Sequence, residues 1–244
     1  MSLLEARAVC KSYGKLRSLD VVDFVVEERE FHGLIGPNGS GKSTLMKCLA
    51  GAEAPTSGAI EFDGRDVVGL GPAERALAGM SIKFQITSVL PTLSVFDNML
   101  LAIQAREPLI GLVRSRTRKK VFSQIMDTLV EFRLIDRVDA PAGTLSHGQQ
   151  QWLEIAMALS LKPKLLLLDE PTAGMSLEER RATGELLRPI KSRCSLIVVE
   201  HDLDFVRGFC DRLTVLDQGR VVDSGSVEQI QSSAKVQGVY LTRM

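Results

Sequence analysis

The sequence has few of the features that would place it in several large classes of protein. Its four cysteines (Cys10, Cys48, Cys194, Cys210) are scattered and form no C-x-x-C pair, which argues against a disulfide framework or a thiolate metal site and for small buried thiols in a reducing compartment. Net charge is zero, with 30 basic and 30 acidic side chains. Such a chain has no overall field to draw in nucleic acid or anionic lipid, so no nucleic-acid partner is expected. Apolar runs are short: Leu165–Leu168 is typical, far below the ~20 residues needed to span a bilayer. The opening residues MSLLEARAVCKSYG mix charge with apolar residues and lack the apolar centre of a signal peptide. Internal repeats, low-complexity tracts and sustained heptads are also missing.

What remains is a chain of 244 residues, long enough to bury a substantial core, in which short apolar runs alternate with helical patterns. That alternation predicts an α/β architecture with much parallel sheet. Strands are expected at Leu4–Ala8, Val21–Val26, Phe31–Ile35, Gly58–Phe62, Lys164–Leu168, Ser195–Val199, Arg212–Asp217 and Arg220–Ser224. Val21–Val26 and Gly58–Phe62 suit an antiparallel extra sheet, and the runs around Leu34, Leu166, Val198 and Val215 suit fully buried strands. From about Ser94 to Leu161 the pattern is nearly all helical, and Ser94 followed by Asp97 reads as an acidic helix start. The basic cluster Arg114–Lys120, beside Pro108–Gly111, reads as a solvated helix start, with a membrane headgroup or a partner as the sharper alternative.

The run Gly36-Pro37-Asn38-Gly39-Ser40-Gly41-Lys42-Ser43-Thr44 fits G-x-x-x-x-G-K-[ST]. An apolar strand precedes it and an apolar-periodic helix (Leu45, Met46, Leu49) follows it. Glycines let successive N–H groups turn inward around a phosphate, and the helix presents its positive end to the same anion. Lys42 is placed to reach β- and γ-phosphates, and the Ser43 hydroxyl to ligate Mg²⁺. A chance match in such a chain is on the order of one in a hundred. The motif establishes a nucleotide phosphate site, not a reaction.

The strand Lys164–Leu168 ends in Asp169-Glu170-Pro171. Side chains at the C-terminal end of a parallel strand emerge where α/β sheets bind ligands. Asp169 suits a metal held through water, and Glu170 suits a general base on the attacking water. Ser195–Val199 ends in Glu200-His201-Asp202, which brings His201 to the same edge as a contact for the γ-phosphate and that water.

With these residues in view, the chain resembles the ATP-binding-cassette family over nearly its whole length. The most diagnostic stretch is Leu145-Ser146-His147-Gly148-Gln149, followed by Gln150-Gln151-Trp152-Leu153-Glu154. The usual family signature is L-S-G-G-Q, so His147 replaces a glycine. Ser146 can cap the following helix, while Gly148 permits close approach of backbone to phosphate. The resemblance implies a P-loop NTPase core (1–85 and 162–244) with parallel sheet, an antiparallel β subdomain and an inserted α-helical subdomain (86–161). It implies that Ser146, Gly148 and Gln149 contact ATP held by a second cassette in a head-to-tail homodimer or heterodimer. Tyr13 looks like the ring that stacks on adenine, and Gln85 like the loop glutamine that touches Mg²⁺ and leads into the helical lobe. That lobe would dock transmembrane permease subunits at the cytoplasmic face of the inner membrane, with a periplasmic solute-binding protein acting further upstream. Where the family usually reads S-A-L-D, this chain has Ala173-Gly174-Met175-Ser176, so Ser176 stands in place of aspartate and is expected to cap the helix that starts Leu177-Glu178-Glu179. The Phe84-Gln85 context, the lobe with Pro108–Lys120, the A-G-M-S variant and the short C-terminal extension are similar to cassettes of branched-chain amino-acid and urea importers. Leu145–Ile155 most resembles the urea-uptake branch. A lipid exporter and a soluble ATPase of DNA repair or translation remain the alternatives.

Overall fold

The computed structural model describes residues 2–83, 89–104, 117–201 and 203–241. The chain opens with a long antiparallel hairpin, β1 (Ser2–Tyr13) and β2 (Leu16–Glu27), then crosses through β3 (Phe31–Ile35) into the helix Lys42–Ala50. β4 (Ser57–Phe62) and β5 (Arg65–Asp66) return to the hairpin and complete a four-stranded sheet in the order β2–β1–β4–β5, antiparallel at each pairing. The second sheet takes in β3, β6 (Met80–Lys83), β7 (Leu165–Asp169), β8 (Ser195–Val199), β9 (Arg212–Asp217) and β10 (Arg220–Ser226). Its order is β10–β9–β3–β8–β7–β6, with only β10 antiparallel to its neighbour.

Every residue of β3, β7 and β8 is buried, because both faces of this sheet are covered, and that is why these strands read as continuous apolar runs. The two-residue period of the strand then sorts neighbours to opposite sides. Leu166 and Leu168 enter a core shared with Phe96, Ile125, Leu153 and Leu187 from the helices. Leu165 and Leu167 enter the other core, with Leu45, Leu49 and the inner face of the antiparallel sheet. The phosphate-loop helix is thus sandwiched between two sheets.

Three expected strands, Phe31–Ile35, Ser195–Val199 and Arg212–Asp217, have the bounds read from sequence. The first two strands are longer than expected, reaching across polar and exposed residues that the open face of an antiparallel sheet tolerates, and Leu4–Ala8 joins the antiparallel sheet. β6 was missed: Met-Ser-Ile-Lys is too short and too polar to read as a buried strand, although Ser81 and Lys83 are buried in it. In the middle segment the described helices are Val95–Gln104, Thr117–Glu131 and His147–Ser160; between the last two the chain is irregular with short 3-10 turns at Ile135–Arg137 and Ala142–Thr144, so 132–146 is less helical than expected. Ser94 does start a helix, its hydroxyl accepting from the Asp97 N–H at 3.0 Å. All four cysteines are free and buried. Gln85, Pro108–Gly111 and the first residues of the basic cluster lie outside the described residues.

Candidate nucleotide site

The loop after β3 is shaped by glycines at the positions where a side chain would not fit. Gly36 adopts φ +146°, and a Cβ there would lie 2.1 Å from the Leu216 carbonyl oxygen. Gly41, at φ +105°, would put a Cβ 2.7 Å from the Ser18 carbonyl oxygen. The loop is therefore pressed onto the β9–β10 turn and the start of β2, and the Gly219 N–H donates to the Ser40 carbonyl at 2.9 Å. Gly41 caps the helix Lys42–Ala50 without a side-chain hydrogen bond, so the first-turn N–H groups keep their donor capacity for an anion. The Ser40 hydroxyl is buried and has no hydrogen-bond partner among the described residues. The Lys42 ammonium donates to the carbonyls of Gly36 at 2.8 Å and Pro37 at 3.0 Å. Burial lowers the Lys42 pKa, while the charges of Glu170 and then Asp169 act to raise it. Pro37 is half-buried, Asn38, Gly39 and Ser43 face solvent, and the Thr44 hydroxyl shares a 2.8 Å hydrogen bond with Ser18.

Lys42 and the acidic pair are thus electrostatic neighbours, as the loop-and-strand reading required. Asp169 closes β7, two strands along from β3, and is 8% exposed. Burial raises its pKa first and Glu170 second, against Lys42 and Lys83. Glu170 is held at φ +48°, a left-handed conformation that costs a non-glycine residue about 1–3 kcal/mol and is concentrated at functional sites. Its N–H donates to the Val199 carbonyl at 2.9 Å, which ties it to the end of β8. The residue just after that strand, Glu200, is fully buried and accepts from both the N–H and the hydroxyl of Thr172, at 3.0 and 2.6 Å. Glu200 so fixes the chain just beyond the acidic pair. His201 follows with an exposed ring, its Nδ1 3.8 Å from the Glu200 carboxylate.

Tyr13 lies at the end of β1 and is 44% exposed. Its hydroxyl donates to Glu53, a bond that, with burial, pushes its pKa up to about 12. The Lys11 ammonium sits 5.1 Å from the ring centroid. The ring is fixed near Thr44, on the phosphate-loop side of the molecule.

Ser146 begins the helix His147–Ser160 with a capping box. Its hydroxyl accepts from the Gln149 N–H at 3.2 Å, and the Gln149 side chain accepts from the Ser146 N–H at 3.1 Å. Ser176 and Glu179 build the same box for the helix Leu177–Leu187, as expected of Ser176. Gly148 has a use that sequence did not suggest: a Cβ there would lie 2.5 Å from the Glu179 carboxylate of the same chain. His147 donates from Nε2 to the Ala173 carbonyl at 3.0 Å. No hydrogen bond joins Leu145–Gln149 to the phosphate loop among the described residues; the segment's bonds run within its own turn, to Ala173 and to Glu179.

Sequence reading also passed over Lys83 and Glu154. Both are almost fully buried, with Nζ and Oε2 3.3 Å apart, joining the end of β6 to the helix after Ser146. Arg75, 1% exposed, was missed as well. Long-range pairing was the only signal for them, and a single sequence does not carry it.

A glycine loop between a buried strand and a helix N-terminus, faced by an acidic pair on a parallel strand, defines a P-loop nucleoside triphosphatase. Comparison with known proteins narrows the class. Residues 19–173 match the ABC transporter family. BraF of Pseudomonas aeruginosa, a high-affinity branched-chain amino acid transport ATP-binding protein, is 32% identical over 98% of this chain and 97% of its own length. The crystal structure of MJ1267 in its ADP conformation, an ATP-binding cassette of an ABC transporter, superposes with a TM-score of 0.87 at 28% identity, covering 99% of both chains. A dimeric post-hydrolysis structure of the cassette MJ0796 bound to ADP and Pi gives 0.77 at 26% identity, over 92% of this chain and 98% of that one. The chain belongs to the ABC transporter family, as an ATPase of its ATP-binding cassette type.

Proposed function

We propose that this cassette hydrolyses Mg²⁺-ATP between two cassettes arranged head to tail and thereby powers solute uptake through separate permease subunits. The reading is carried by one observation: a phosphate-and-carboxylate edge (Gly36–Thr44, Asp169, Glu170, His201) and a second capped helix N-terminus, at Ser146, coexist in one chain, and no hydrogen bond joins Leu145–Gln149 to the phosphate loop among the described residues. A second copy or a paralogous cassette supplies the missing half of each site. The dimeric form of MJ0796 supports that arrangement.

Within such a site Lys42 and the first-turn N–H groups hold the β- and γ-phosphates. Glu170 orients and deprotonates the attacking water, and His201 contacts the γ-phosphate and that water. Tyr13 stacks on the adenine. Ser146, Gly148 and Gln149 complete the partner's phosphate cradle. For a metal, the chain offers the Ser43 hydroxyl and the Asp169 carboxylate, and no group of three or more His, Cys, Asp or Glu side chains gathers among the described residues. Two hard oxygen donors fit Mg²⁺ shared with phosphate oxygens. Bound there, with Gln85 as a further ligand, it would offset phosphate charge.

Among the described residues no helix is long and apolar enough to cross a membrane; in this reading permease subunits hold the cassette at the cytoplasmic face of the inner membrane. Leu90, Leu101 and Phe122 stay exposed on the helical side, which supports a permease docking there. BraF, and the Leu145–Ile155 resemblance, point to branched-chain amino acids or urea as solute, delivered by a periplasmic binding protein. Glu170→Gln is expected to bind ATP and remain an ATP-locked pair of cassettes on size exclusion. A variant that turns over at the wild-type rate, or stays monomeric with saturating ATP, overturns the reading. Uptake of labelled leucine against urea in cells carrying the full transporter then decides the solute.

A further inference from the structure

In place of the first glycine of the signature, this chain has His147, whose ring makes a contact that glycine cannot make. A carbonyl oxygen only accepts, so the 3.0 Å contact with Ala173 assigns the proton to Nε2. The ring lies against Gly174, at φ +73°, where a Cβ would come within 3.3 Å of both Cδ2 and Nε2. One residue back, the Ala173 N–H donates to the Glu170 carbonyl at 3.2 Å. Two hydrogen bonds through a single residue therefore connect the signature turn to the backbone of Glu170, the residue held at φ +48°.

A second tie runs beside the first. Glu179 accepts from the Ser176 N–H at 3.0 Å and fills the space left by the missing side chain of Gly148. Hydrogen bonds from Ser176 first, then Ser146, and the nearby His147 hold its carboxyl below the usual range. Signature turn and post-carboxylate loop thus form one packed unit on the outside of the molecule.

We infer that His147 is a positioning residue for hydrolysis: it couples the turn that meets the partner's nucleotide to the Glu170 backbone of its own chain. The inference rests on the head-to-tail reading above. When the turn seats on a neighbouring ATP, the bond to Ala173 sets the loop that presents Glu170, so occupancy of one composite site tunes the carboxylate of the other. Glycine at this position has no side chain with which to make that link.

The test uses the cassette in its membrane complex with the permease subunits. His147→Gly removes the donor; His147→Gln keeps an N–H donor at similar reach. For His147→Gly, kcat is expected to fall by about tenfold, the worth of one well-placed hydrogen bond, and the Hill coefficient for ATP to drop toward one. Equilibrium binding of a fluorescent ATP analogue should move by less than about twofold. His147→Gln should recover kcat and cooperativity to within about threefold of wild type, which a general loss of packing would not allow. Wild-type kcat and Hill coefficient in His147→Gly, or equal damage in both variants, overturns the assignment. If Glu170→Gln forms no ATP-dependent pair, the head-to-tail reading fails and takes this inference with it. If pairing is intact and His147→Gly is silent, only the coupling role falls.

Discussion

Replacing Arg75 by Met should unfold the support beneath the phosphate loop at a cost the hydrogen bonds allow one to estimate. The guanidinium is buried in the elbow between the helix Lys42–Ala50 and the segment Val67–Leu70. Nη1 donates to the carbonyls of Cys48 at 2.7 Å and Leu49 at 2.6 Å, Nη2 to Val67 at 2.6 Å, and Nε to Leu70 at 3.0 Å. Two of these acceptors belong to the last turn of that helix, where Cys48 otherwise accepts a 3.3 Å bond from the Gly51 N–H and the carbonyls carry the negative dipole end. Each bond to a charged donor is worth about 1.5–3 kcal/mol, so four of them gross roughly 6–12 kcal/mol. Against this stands the desolvation of the buried cation, several kcal/mol, which also lowers the Arg75 pKa. The net loss for Arg75→Met is therefore about 3–4 kcal/mol, a large part of the roughly 5–15 kcal/mol that holds a domain folded. Arg75→Lys keeps the charge but loses the fork, and should lie between the two. Urea denaturation followed by circular dichroism reads this directly, as a lower midpoint at unchanged slope. A loss under about 1 kcal/mol in Arg75→Met would show that the four carbonyls find other donors and that the elbow does not depend on the fork.

Two further outcomes follow from buried charge. Glu154→Gln leaves the Lys83 ammonium without the carboxylate 3.3 Å away and should cost about 3–5 kcal/mol, whereas Lys83→Met with Glu154→Leu should come back close to wild type; a double variant as weak as the single one refutes the ion-pair account. Burial raises the pKa of Glu200 above its ordinary value, outweighing the Thr172 hydrogen bonds. The folded chain therefore keeps this proton to higher pH than the unfolded chain does, and the associated stability is complete below about 4.3, the unfolded value, and lost as pH rises through the folded one. Glu200→Gln, which keeps an acceptor for Thr172, should gain on wild type steadily as pH rises across that window in urea titrations, and curves that stay parallel refute the shift.

Why some of this could be read from sequence and some not depends on how far apart in the chain the interacting residues lie. The phosphate loop is local: glycines, lysine and the flanking strand and helix occupy one stretch, so Gly36–Thr44 is legible from the sequence alone. The capping boxes at Ser146 and Ser176 were legible for the same reason, since each closes within three residues. Asp169 and Glu170 could be set at a strand end and assigned to the phosphate site by their chemistry, but their position against Lys42 follows only from β7 lying two strands from β3 in the sheet. β6 is hard to see in sequence because its burial comes from neighbours far along the chain, and the buried Lys83 is paired with Glu154, 71 positions away by number, with Asp169 and Glu200 adding to its support. His147 is the instructive case. In sequence it was a departure from the L-S-G-G-Q pattern with no assigned use. In the fold its ring reaches Ala173, which the linear pattern treats as part of a different motif. Two motifs that look independent along the chain are thus one mechanical unit in space. A departure from a family pattern in one of them is better judged by what it touches in the other.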